Sequence, residues 1–192
     1  MLDGPAEAAR LAAMQPDWAG YAEYCRLRAS GLRARALAAL DIFIAEAMDW
    51  PLTKRVAFAK WVASAADHDP PSALLPDPMV RRLLIPALAG APDDPEALAL
   101  LGLFGDPHGG PLERYLAALE QSPGDPVAGK LFVRAVLRWV GYAQHELPHG
   151  YLGDPGEDIA LIERAASLLP AGAEQHDLIE HYLATARRLN QS

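Results

Sequence analysis

The chain has 192 residues and a formal net charge of −8, with 51% hydrophobic and 22% charged residues. That balance excludes a disordered or fibrous chain, and the longest stretch without Asp, Glu, Lys or Arg, residues 83–92, is too short for a membrane helix. Cys25 is the single cysteine, so neither an internal disulfide nor a cysteine-based zinc knuckle can form.

Alanine occurs 37 times and leucine 29 times, against 15 Val, Ile and Thr together. Ala and Leu lose little freedom in a helix, whereas β-branched residues suit strands. The chain reads as all-α. Pro and Gly then divide it into helices. The first is expected over residues 5–14. Asp17 is placed to cap a second helix, carrying Trp18, Tyr21 and Cys25 and ending near Gly31. Leu37, Leu40, Ile44 and Ala47 share one side of a third, with Phe43 beside them. Pro51 opens a fourth that runs to about residue 66. Residues 67–78 hold four prolines and read as a linker between an N-terminal helical segment, 1–66, and a repeat region, 79–192. Further helices are predicted over 79–89, 95–104, 111–121, 126–146, 156–169 and 173–190.

A recurrence runs through the second half. Leu84 and Ala87, Tyr115 and Ala118, and Ile162 and Ala165 are each three apart, and a proline follows each alanine five residues on, at Pro92, Pro123 and Pro170. A large apolar residue beside a small one lets a neighbouring helix approach closely, and proline then stops the helix. Asp94 and Asp125 are placed to cap the next helices, with Pro95 and Pro126 at the first helical position. This pattern resembles the tetratricopeptide (TPR) family over about residues 80–190. The resemblance implies stacked antiparallel helix pairs that bind another protein or peptide. The chain departs from the family at Pro86, which interrupts the first copy, at the long 105–110 loop, and at 147–158, which reads as an insertion. No segment carries the family's full Trp…Leu-Gly…Tyr first helix, and an irregular helical bundle is the other arrangement open to these helices.

The charge is uneven. Residues 1–60 hold 8 basic and 7 acidic residues, residues 61–192 hold 9 and 18. An acidic body disfavours nonspecific nucleic-acid binding. Within it, Lys130, Arg134 and Arg138 form one stripe at i, i+4 and i+8, opposite Leu131, Phe132, Ala135, Val136, Trp139 and Val140, which are expected in the core. The stripe either receives a partner's carboxylates or is a solvated face paired with nearby acids. A second basic cluster, Arg26, Arg28, Arg33 and Arg35, reads as phosphate-binding or as helix exterior. His145, Glu146 and His149, and His176, Glu180 and His181, contain metal-compatible residue types. The zinc-protease order is absent, however, and Pro148 lies between His145 and His149. Cys25 beside Tyr21 and Tyr24 reads as a buried structural thiol.

No nucleophile elbow, phosphate loop or dinucleotide motif is present. The leading expectation is a cytoplasmic protein–protein interaction module without a cofactor. The early acids of residues 1–14, with no apolar stretch among them, argue against a secretory leader. The alternative is an all-α enzyme or metal-binding protein using the His145/His149 and His176/Glu180 clusters. A structural homodimer joined through exposed Trp or Leu is the third reading.

Overall fold

The structure, a computed structural model, describes residues 4–67, 73–105, 111–145, 147, 149–170 and 172–191. Among these residues it is all-α, with ten helices. They are α1 (Pro5–Ala12), α2 (Ala19–Ala29), α3 (Arg33–Met48), α4 (Leu52–Ala65), α5 (77–89), α6 (Pro95–Phe104), α7 (Pro111–Gln121), α8 (Pro126–His145), α9 (Pro155–Leu168) and α10 (His176–Leu189).

The predicted aspartate–proline starts hold. The Asp94 carboxylate accepts from the Ala97 N–H at 3.1 Å, and that of Asp125 from the Ala128 N–H at 2.8 Å. A third copy opens α9, where Asp154 accepts from Gly156 and Glu157. It therefore begins at Pro155, one residue earlier than the sequence suggests. Asp17 does not cap α2. It sits in a 3-10 turn, Pro16–Trp18, and its carboxylate instead meets the Lys54 ammonium at 2.6 Å. Pro51 stands just outside α4 with extended backbone (ψ 146°), so that helix starts at Leu52.

Pro86 does not end its helix. The chain widens into a π-turn over Val80–Leu84, where the Ile85 N–H reaches the Val80 carbonyl five residues back. Proline offers no N–H and its ring crowds the preceding turn of an α-helix. The wider turn leaves room for that ring, and α5 runs on to Ala89.

Packing follows the chain. α2 packs against α1 and α3, and α4 against α5 and α6. From α5 onward each helix lies against its successor, while α8 also touches α6 and α10. One continuous hydrophobic cluster extends from Ala8 to Ala186. All three large–small pairs are buried, Leu84, Tyr115 and Ile162 with Ala87, Ala118 and Ala165, as close helix approach requires. Leu74 and Leu75, in the proline-rich stretch, are also in the core. The Tyr21 and Tyr24 hydroxyls hold its described end by donating to the Leu74 and Ala73 carbonyls at 2.8 and 2.6 Å; residues 68–72 of the linker lie outside the described residues.

The N-terminal helices close on aromatic rings. Phe58 touches Trp18, Tyr21, Phe43, Trp50 and Trp61, with centroids 5.2–6.2 Å apart. Lys60 of α4 then reaches across to Asp94 at 2.6 Å and Glu96 at 3.0 Å at the start of α6. Burial works against the Lys60 charge, but its hydrogen bonds to the two carboxylates outweigh this and raise its pKa. Burial likewise opposes the Asp94 charge, yet Lys60 and the Ala97 N–H hold that carboxyl below its usual range.

Candidate functional site

Helix α8 positions the candidate site. Its 20 residues make it about 30 Å long, against 11 residues for α7 and 14 for α9. Leu131, Phe132, Val136, Val140 and Ala143 bury one side. Trp139, expected in the core, is instead 39% exposed and Tyr142 is 60% exposed. Both lie in the last two turns of α8, and the rings line a groove between helices rather than filling the core.

That groove encloses about 600 Å³ between α6, α7 and α8. Gly102 and Leu103, Leu112 and Tyr115 form one wall; Leu131, Ala135, Trp139 and Tyr142 form the other, with Arg134 and Arg138 among them. A volume in this range suits an organic side chain or small ligand. Gly102 makes the wall possible: a Cβ there would stand 2.8 Å from the Tyr115 ring and 3.1 Å from the Pro111 carbonyl. Burial raises the Tyr115 phenol pKa, against the opposing pull of Arg138 and Arg134.

A second groove, about 350 Å³, lies on the other side of α8. Val133, Leu137, Leu168, Leu169, Pro170 and Ala173 line it, with Lys130 and Arg134 at its edge. The cationic stripe therefore divides two apolar grooves, and Arg134 borders both. Among the described residues, no Asp or Glu lines either groove, although residues 61–192 hold twice as many acidic as basic residues.

Asp67 is an acidic neighbour of the stripe. Asp67, at the end of α4, adopts a left-handed backbone (φ 53°) that aspartate tolerates better than most residues. Its carboxylate meets Lys130 at 2.6 Å, and its carbonyl accepts from Arg134 at 3.4 Å. Both members of the Lys130–Asp67 pair are more than 40% exposed, so solvent screens it. Arg138 is exposed and makes no ion pair among the described residues.

A buried carboxylate anchors the groove's aromatic wall. Asp158, in the first turn of α9, is 2% exposed. It accepts the Trp139 indole N–H at 2.9 Å and the Tyr151 hydroxyl. Burial, and then the bond to Asp158, push the Tyr151 phenol pKa far up. The segment read as an insertion thus folds back to hold Trp139 through Asp158. Gly153 fits beside that carboxylate because a Cβ would stand 2.9 Å from Oδ2.

Among the described residues, the other sequence candidates do not assemble. His145 and His181 line one shallow groove of α8 and α10, while the His176 ring bonds to the Pro170 carbonyl at 3.0 Å. Glu146 lies outside the described residues, and among those described no three His, Cys, Asp or Glu side chains gather as metal ligands. Arg26 is held by both oxygens of Glu23, at 2.6 and 2.7 Å, and Arg33 and Arg35 are exposed on α3. The Cys25 thiol is fully buried, and burial pushes its pKa up to about 12, which leaves it inert as a nucleophile. No helix among the described residues is long and apolar enough to cross a membrane. Set against protein-family profiles, curated proteins and solved structures, the chain matches none of them.

Proposed function

We propose that this chain is a protein-recognition module, a degenerate TPR-like stack whose working surface is the exposed side of α8. One observation carries the reading: three cations in a row flanked by two apolar grooves with no acid among their described lining residues, on the half of the molecule that is otherwise acidic. The buried large–small pairs and the aspartate–proline starts support the repeat architecture. Interfaces draw their energy from buried aromatic and arginine anchors, and Trp139, Tyr142, Arg134 and Arg138 supply both kinds at one place. Charge complementarity with an acidic partner would speed and orient docking more than it adds affinity.

The test is affinity capture with the tagged 192-residue chain, run beside a Lys130→Glu, Arg134→Glu variant. A partner retained by the wild type and lost by the variant, with the circular dichroism of the two alike, is the expected result. A partner held equally by both removes the recognition role from α8. Elemental analysis of the same preparation separates this reading from the metal-binding one, which requires a stoichiometric metal.

A further inference from the structure

Arg134 borders both grooves, so the two apolar sites are near neighbours separated by the width of one helix. We infer that one extended segment of a partner protein crosses α8, setting a bulky apolar side chain into each groove and carrying acidic residues between them over the Lys130–Arg134–Arg138 ridge. This rests on the recognition reading and gives its partner a chemistry.

The spacing comes from geometry. A helix with its side chains is about 10–12 Å across, and an extended chain advances about 3.3 Å per residue. Side chains alternate between the two faces of such a chain, so two that are four residues apart span the ridge and point the same way. The larger groove, walled by Leu103, Leu112, Tyr115 and Trp139, suits an aromatic or leucine side chain, and the smaller, walled by Val133 and Leu137, an aliphatic one. Between them the ridge presents three cations. Arg138 makes no ion pair among the described residues. The exposed Lys130–Asp67 pair can exchange Asp67 for an incoming carboxylate with little loss.

Other ligand classes fit less well. A fatty acid needs one continuous apolar channel, whereas here a helix separates two. A nucleic acid would approach a body of net charge −8 and would leave both grooves unfilled.

The experiment is fluorescence anisotropy with the full chain and two fluorescein-labelled peptides of identical composition, each with glycine–serine ends. One carries leucine, three glutamates and phenylalanine in that order; the other carries leucine and phenylalanine side by side, followed by the three glutamates. The first should bind at least tenfold tighter. Arg138→Glu or Tyr142→Ser, both at exposed positions, should weaken it at least fivefold with the circular dichroism unchanged. Equal binding of the two peptides, or binding of neither, overturns the spanning arrangement. If a captured partner still depends on Lys130 and Arg134 in that case, the recognition reading stands without it. If capture ignores those residues, that reading fails first.

Discussion

The two parts of the molecule hold the same number of aromatic residues and use them in opposite ways. Residues 1–78 contain seven, and so do residues 79–192. In the first part all seven join one network of ring contacts, with Phe58 and Tyr21 at its centre. In the second no two of the seven pack ring on ring among the described residues, and Tyr115, Trp139 and Tyr142 line a groove instead. A knot of large rings fits in one way and fills its own space. Pairs such as Tyr115 and Ala118 set a helix spacing that can be repeated, and repetition leaves surfaces between helices.

The largest effect is expected at the centre of the knot. Phe58→Ala removes a ring that touches five others and should cost about 3–5 kcal/mol in urea unfolding. Because one hydrophobic cluster runs through both parts, tryptophan fluorescence and circular dichroism should lose structure together; two separated transitions would mean that the aromatic part folds alone.

Asp158→Ala tests the opposite use of an aromatic. It leaves the Trp139 N–H and the Tyr151 hydroxyl without their acceptor, a loss of about 1.5–3 kcal/mol for bonds to a charged group. Peptide binding in the groove should weaken with it, whereas Phe58→Ala should leave affinity unchanged wherever the protein is still folded. Close helix approach is probed by Gly102→Ala, whose new methyl meets the Tyr115 ring, at about 1–3 kcal/mol in the same unfolding measurement.

The smallest effect concerns the junction. Asp94→Ala removes a helix cap together with the Lys60 contact and should cost about 1 kcal/mol. Its sign with pH follows from the shifts. The folded Asp94 carboxyl lies below its unfolded value, so its contribution is complete above about pH 4 and is lost as the pH falls through the folded value. Lys60 lies above its unfolded value, so its share is complete below about pH 10 and is lost as the pH rises through the folded value. An acid titration of stability should therefore be shallower in Asp94→Ala than in the wild type; parallel curves would dismiss the bridge.

Local chemistry made much of this fold readable from the chain. Asp94–Pro95 and Asp125–Pro126 announce helix starts because the cap bond and the missing N–H act within four residues. Leu84, Ala87 and their counterparts announced a core for the same kind of reason, a short spacing on one helix face. What failed depended on distant neighbours. Asp17 had a capping position but found Lys54, 37 residues on. Trp139 fits the apolar side of α8 by periodicity, and only its placement between α6, α7 and the buried Asp158 shows that its ring belongs to a groove wall. Asp158 itself looks like any acid in a first helical turn. The stripe of Lys130, Arg134 and Arg138 was legible as a stripe; the grooves on its two sides were not, since each needs residues from more than one helix.

The buried Cys25 has a practical consequence. The thiol is shut off from solvent, and the same burial pushes its pKa up to about 12, so it offers reagents neither access nor thiolate at neutral pH. The wild-type chain is therefore already blank toward maleimides and needs no cysteine removed. A single cysteine introduced at Tyr142 would take a dye or a photo-crosslinker alone, directly at the mouth of the larger groove.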